Sequence, residues 1–487
     1  MDTQNGTSEI DTALADRRVC SACVGEKFLR ARIVDSGEQA KCFYCDQEGR
    51  TFSIDDMADE IECAFEDHFH KTPTEPSSLE YAMNGSDYCW LREGEPVAYV
   101  VASAAELDEA PAADICEVLA ERHYDMELAK MNEECPFDSD SHYVEKGIND
   151  VEYFEQWKYF EDSLKREARF FSRTAEATLA SVFEDLDGHR TMDGQAVILE
   201  AGPGKEIASI FRARVFQSDE RLEAALKRPD LEVGPPPSVA VPAGRMNARG
   251  ISVFYGATTD AIAVAEVRPP VGSRVVVGQF DLVRSVRLLN LDGLRSVTVA
   301  GSIFDRGYIR RLERAAFLER LSHLLTRPVM PDDEPFDYLV TQAVADYLAT
   351  IAEIPLDGIV YPSAQSADGN LNIVLFHKAS LVEPLELPPD TEITATLCSW
   401  TDEGAEVDYW VSETVPPPES TKEDKGFDVA DFLSFSADDP KGKFDTREVT
   451  LRLNVASIKV HHVQGIVLST VDYPVHRLRS VKREYKF

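Results

Sequence analysis

Several residues in the second half of the chain combine charge, aromatic rings and glycine at spacings suited to holding a phosphorylated ligand. Arg245 stands in the glycine-flanked turn Gly244-Arg-Met-Asn-Ala-Arg-Gly250, just before the apolar run Ile251–Tyr255. A guanidinium there can bind a pyrophosphate through paired hydrogen bonds, a geometry that lysine lacks. Tyr255 ends the run and is followed by Gly256, so its ring can border a cleft. Glu266 closes the helical segment Thr259–Glu266, for which Thr258, Thr259 or Asp260 can serve as N-cap. A carboxylate in such an apolar turn is either solvated or recruited to a site. Phe211–Val215 adds Arg212 and Arg214 upstream, and Leu356–Ala364 supplies Ser363 downstream. Each residue alone has an ordinary reading as a turn arginine, a core tyrosine or a solvated helix end.

A second constellation lies at the N-terminus. Cys20-x-x-Cys23 and Cys42-x-x-Cys45 are two CxxC pairs at the spacing of a zinc ribbon. Four thiolates close a tetrahedral Zn²⁺ shell with no open position, so the expectation is a structural metal. Such a metal gives a small segment the fold its own core cannot. Cys63, Cys89, Cys116, Cys135 and Cys398 follow no pattern and read as packing residues. His68, His70 and His123 read as solvated groups near helix ends.

The elements that must position these residues follow from hydrophobic spacing. Ile54–Phe69 and Val151–Leu186 have apolar residues at three- and four-residue steps, the mark of helices with one buried face. GEPVAYVVAS between them reads as a short strand pair. After Gly194 the texture changes to short Val-, Ile- and Phe-rich runs bounded by Gly, Pro or Ser, which read as strands. Helices are expected at Tyr308–Leu325 and Tyr338–Ile354. Alternating residues from Thr391 onward suggest an antiparallel sheet, interrupted by a linker at Pro416–Gly426. The expected segments are 1–50 (zinc-ribbon-like), 51–193 (acidic and helical), 194–385 (mixed α/β) and 386–487 (β-rich). The overall class is α+β.

With 487 residues and a net charge of −37, concentrated in the first 200 residues, the chain is a poor candidate for sequence-independent nucleic-acid binding. No apolar run is long enough to span a bilayer, and the N-terminus lacks the features of a secretory signal. Together with nine cysteines, an odd number, this points to a cytoplasmic protein with no membrane partner.

In order, the chain reads GRxNxxG, a strand ending in Tyr, AxxxAE, TQ, DGIxYPSA and GNxxxxxF. This order resembles the RES domain family over about residues 205–380. That family resembles ADP-ribosyltransferases in fold and is best known for bacterial toxins that destroy NAD⁺ by phosphorolysis or hydrolysis. The resemblance implies that Arg245, Asn247 and an upstream arginine, Arg212 or Arg214, bind NAD⁺, with Arg245 on the pyrophosphate. It implies that Tyr255 stacks on nicotinamide, that Glu266 is the motif glutamate, and that Ser363 lies near the nicotinamide ribose or the phosphates. A zinc-ribbon start followed by an acidic helical segment also resembles the HEPN-related domain found before RES domains, which implies a regulatory or antitoxin partner. Three readings follow: NAD⁺ cleavage by a toxin or defence effector, ADP-ribosyl transfer to a macromolecule, or a non-enzymatic metal-stabilised interaction protein.

Overall fold

The computed structural model describes residues 12–79, 90–131, 133–330, 332–363, 370–401, 404–417, 445–467, 470–477 and 479. Most of the expected linker at Pro416–Gly426, most of residues 476–487, and Cys89 lie outside these residues. No helix is long and apolar enough to cross a membrane among the described residues.

Contacts divide the chain into two compact units. The first comprises Met1–Asp162, Gly188–Gln195 and Gly293–Leu324. Near its start, strands Arg18–Cys20, Glu48–Ser53 and Glu38–Lys41 pair antiparallel in that order. Helix Ile54–His68 follows directly, because Ser53 and Asp56 form a reciprocal capping box that satisfies two free N-terminal amides. Its apolar face (Ile54, Met57, Ile61, Phe65) packs with Ile115 and Leu119 of helix Glu109–Arg122 in one core. Further along, Trp157 is fully buried beside Phe160 and Phe317.

Three expectations change here. The segment expected as a strand pair has only Glu95–Pro96 in strand, and Val97–Ala105 is helical. Its buried residues Val97, Val100, Val101 and Ala105 recur at helical steps, and Glu106 ends it in the left-handed region at φ 50°. The single stretch Val151–Leu186 is two helices, Val151–Arg166 and Arg173–Val182. Phe170 and Phe171 in the break are exposed rather than part of a buried face. His68 is buried, not solvated, with its ring 5.9 Å from that of Tyr308, and burial lowers its pKa. His123 bonds Glu62 Oε1 at 2.7 Å.

The second unit comprises Ser163–Asp187, Ala196–Asp292 and Leu325–Phe487, built on one eight-stranded sheet. In chain order its strands are β1 (Ile198–Ala201), β2 (Ser209–Phe216), β3 (Phe254–Ala257), β4 (Arg274–Leu282), β5 (Val286–Asn290), β6 (Gly358–Pro362), β7 (Leu371–Leu375) and β8 (Leu451–His462). The spatial order is β8-β4-β2-β3-β7-β6-β5-β1, antiparallel except for the parallel pair β5–β6. The sheet is therefore mixed, and β8 brings the C-terminal region into it as an edge strand. The hairpin Glu392–Thr401 with Gly404–Thr414 forms a separate two-stranded sheet.

Phe254, Phe280, Val276, Ile373 and Leu375 fill the core on one side of the sheet. Helix α1 (Asp260–Glu266) packs Ile262 and Ala263 against Ala213, Ala257, Val275 and Val277. Helix α2 (Glu334–Thr350) takes the place of the expected Tyr338–Ile354 element, beginning and ending four residues earlier.

Candidate active site

The two arginines of β2 occupy different places. β2 and β3 share one register pair, Ala257 with Phe211. Beside it the Arg212 side chain supplies donors where backbone partners are missing. Its Nη1 donates to Tyr255 O at 2.7 Å and its Nε to Val233 O at 2.8 Å. The guanidinium lies 5.2 Å from the centroid of the Phe254 ring. Burial, with the neighbouring charge of Arg214, draws its pKa down to about 10, so it remains cationic at neutral pH. Arg214 instead pairs with Glu232 and does not line the cavity described below.

The turn before β3 is locked from within. Asn247 is buried, donates through Nδ2 to Pro242 O and Ala248 O, and accepts the Tyr255 hydroxyl at Oδ1, 2.9 Å away. Tyr255 Oη also accepts the Met246 amide at 3.0 Å. Gly244 is required here: a Cβ would stand 2.6 Å from Asn247 Oδ1 and 2.8 Å from Tyr255 Oη. Asn247 thus holds the turn through its amide and is not among the residues that line the cavity described below. Burial pushes the Tyr255 phenol up to about 12, so it stays protonated and offers its ring to the cavity. The Thr-Gln pair of α2 completes the lock: Thr341 Oγ1 donates to Arg245 O, and Gln342 Nε2 donates to Gly244 O at 2.8 Å.

Removing this lock has a measurable cost. Asn247→Ala leaves the buried Tyr255 hydroxyl without its acceptor and opens the turn. The expected loss is about 1–3 kcal/mol, the usual cost of an unsatisfied buried polar group. Thermal melting of wild type against variant measures it, and an unchanged midpoint would show that the turn holds without the amide.

Arg245 is partly committed. Its Nη1 donates to Leu325 O at 2.9 Å and its Nη2 to Arg327 O at 2.8 Å, and its guanidinium lies 5.6 Å from the Tyr338 ring centroid. These bonds fix the cation beside the cavity and leave other N–H donors of the fork for a ligand.

Glu266 comes to the same place from the end of α1, whose N-cap is Thr259. Its Oε1 accepts Ser363 Oγ at 2.6 Å and Asn372 Nδ2 at 2.7 Å. Ser363 follows β6, and Asn372 sits on β7 in register with Tyr361 of β6 and Ala257 of β3. Both donors are buried while the glutamate is exposed. Two hydrogen bonds to one oxygen hold the carboxylate in a fixed orientation. Its Oε2 has no hydrogen-bond partner among the described residues.

These groups line one cavity of about 390 Å³, bordered by Arg212, Arg245, Tyr255, Glu266, Tyr338, Tyr361 and Asn372. Its size falls in the range of small-molecule clefts, about 300–1,000 Å³. Ser363 reaches the site through Glu266. Glu334, whose Oε1 accepts the Tyr338 hydroxyl at 3.0 Å, also borders it. Tyr361 and Asn372 lie inside the DGIxYPSA and GN motifs and Tyr338 opens an expected helix, but none of the three carried an assigned role. Strand alternation places Tyr361 and Ser363 on one face of the chain, a signal that would have flagged the tyrosine.

In the first unit, Cys20, Cys23, Cys42 and Cys45 present sulfurs that all lie within 4.8 Å of one another. Each pair occupies a turn closed by a backbone bond, Cys23 N to Cys20 O at 3.0 Å and Asp46 N to Cys42 O at 3.1 Å. Three measured Sγ–Sγ distances are 3.7, 3.6 and 3.9 Å. A tetrahedron with Zn–S bonds of about 2.3 Å has edges of about 3.8 Å, so the donor set fits a tetrahedral thiolate metal. Burial opposes ionisation of Cys42, but amides of Cys45 and Tyr44 directed at its sulfur outweigh it and bring the thiol down to about 7.

No curated protein matches the chain. The family model of the RES domain matches residues 212–395, a span that contains every residue lining the cavity. The chain therefore carries a RES domain, and the cavity lies within it.

Proposed function

We propose that the RES domain cleaves NAD⁺ between nicotinamide and ribose, with Glu266 as the central catalytic residue. The observation that carries this reading is the carboxylate held by Ser363 and Asn372 at the mouth of a cavity bearing two arginines and three tyrosine rings. Arg245 and Arg212 supply positive charge for the pyrophosphate. The Tyr255 ring, its hydroxyl tied back, offers a face for the nicotinamide. The nicotinamide–ribose bond breaks through an oxocarbenium-like state. The fixed Glu266 anion stabilises the positive charge that develops on the ribose. Nicotinamide departs as a neutral base, so no general acid is needed.

In the first unit, the four-cysteine cluster holds a structural zinc. This unit is a regulatory or partner-binding module, consistent with an effector restrained by an antitoxin. The acceptor of the ADP-ribosyl group is tested by incubating the purified chain with adenine-labelled NAD⁺, with and without phosphate. Free ADP-ribose marks hydrolysis and ADP-ribose-1″-phosphate marks phosphorolysis. Label retained on protein or nucleic acid identifies the alternative, a transferase. Unchanged NAD⁺ under every condition would refute the proposal.

A further inference from the structure

We propose that Asn372 is a recognition and positioning residue of this site: one end of its amide fixes Glu266, and the other accepts a hydrogen bond from a hydroxyl of the bound ribose. The inference rests on the reading of the cavity as an NAD⁺ site. Asn372 lies mid-strand on β7, paired with β3 on one side and β6 on the other, and is 5% exposed. Its Nδ2 donates to Glu266 Oε1 at 2.7 Å. That bond decides which way the amide points. Rotating it by half a turn would set the amide oxygen against the carboxylate and forfeit a charge-assisted bond.

The amide oxygen is thereby left over. Asn372 Oδ1 is buried in the cavity lining with no hydrogen-bond partner among the described residues. A buried acceptor without a donor is costly to keep. Glu266 Oε2 likewise has no hydrogen-bond partner among the described residues, and the Ser363 hydroxyl donates to Oε1. Two residues of the cavity lining, joined through Nδ2 and Oε1, thus each keep one acceptor without a partner among the described residues. The ligand chemistry that satisfies both is a pair of neighbouring hydroxyl donors, the vicinal diol of a ribose. On NAD⁺ it is the nicotinamide ribose that must sit beside Glu266.

The experiment measures kcat and KM for the full chain as wild type, Asn372→Ala and Asn372→Asp. The substrates are NAD⁺, its analogues lacking the 2′- or 3′-hydroxyl of the nicotinamide ribose, and the analogue with a carboxylate in place of the carboxamide. Intrinsic reactivity differences cancel when substrate ratios are compared between variants. Wild type is expected to prefer NAD⁺ to at least one deoxy analogue, and Asn372→Ala to lose about 10-fold or more of that preference. Asn372→Asp keeps an acceptor but has no donor for Glu266, so it should retain the hydroxyl preference at reduced kcat. It also carries the test if the alanine variant fails to fold.

Equal losses on all substrates, or unchanged kinetics, would overturn the inference and leave NAD⁺ cleavage standing. A preference lost for the carboxamide instead of a hydroxyl would also overturn it. Wild type that neither binds nor consumes NAD⁺ would remove the inference and the functional reading together.

Discussion

Replacing Glu266 by glutamine is expected to lower NAD⁺ turnover by about 10²–10³-fold, the usual effect of removing one preorganised electrostatic partner of a transition state. The substitution keeps the volume and one acceptor oxygen, so Ser363 and Asn372 retain a partner at a position that now accepts from both through Oε1. Glutamine lacks the negative charge that would face the ribose cation. Ground-state binding rests mainly on the arginines and aromatic rings around the cavity, and the Glu266 Oε2 contact to the ribose is a smaller part of it. The expected pattern is a large fall in kcat with KM changed only a few-fold, the signature of an interaction made in the transition state. Steady-state kinetics with calorimetric binding of NAD⁺ to the variant separates the two quantities. A variant that turns over NAD⁺ at the wild-type rate would remove Glu266 from the chemistry.

Replacing Cys42 by serine is expected to abolish one bound zinc per chain and the folded state around it. Cys20 and Cys23 at the end of the first strand, and Cys42 and Cys45 after the second, bring four sulfurs to one point. The three strands they join are short, of three, four and six residues. Structural zinc binding in small domains is worth about 10–16 kcal/mol at neutral pH, more than such strands gain from packing. Metal analysis of the purified protein gives the stoichiometry. Limited proteolysis before and after chelation reports the folding, and the expected result is new cleavage within about residues 18–53. Wild-type protein without zinc and equally resistant to protease would contradict the assignment.

The sequence made some of this site legible and hid the rest for identifiable reasons. The cysteine spacing needed only local chain geometry, so the four sulfurs meet as the two CxxC pairs imply. The helix from Ile54 was written in its capping residues and its apolar spacing. Arg245, Tyr255 and Glu266 stood out because glycine turns and an apolar helix framed them. What linear reading could not supply was the partner of each polar group. Ser363 and Glu266 are 97 positions apart and meet only because β6, β7 and β3 are neighbours in the sheet.

The same limit explains Asn247 and Arg214. A polar residue in a glycine-rich turn reads as a ligand contact, and its bond to the Tyr255 hydroxyl becomes visible only in the fold. Two arginines at alternate positions of one strand look equivalent until one meets Tyr255 O and the other Glu232. Val97–Ala105 failed differently. Its β-branched residues suggested strands, while the spacing of its buried positions favoured a helix. Packing against the first unit's core decided between the two tendencies. The C-terminal strand β8 was expected as sheet, but nothing in its alternation named β4 as its partner.

One measurement tests the central claim most directly: the identity and stoichiometry of the small molecules released when the purified chain consumes NAD⁺. The account predicts one free nicotinamide for each NAD⁺ lost, as cleavage of the nicotinamide–ribose bond requires, whatever accepts the ADP-ribosyl group. Release of AMP with nicotinamide mononucleotide would place the break at the pyrophosphate and contradict the role given to Glu266. NAD⁺ left intact would contradict the account as a whole.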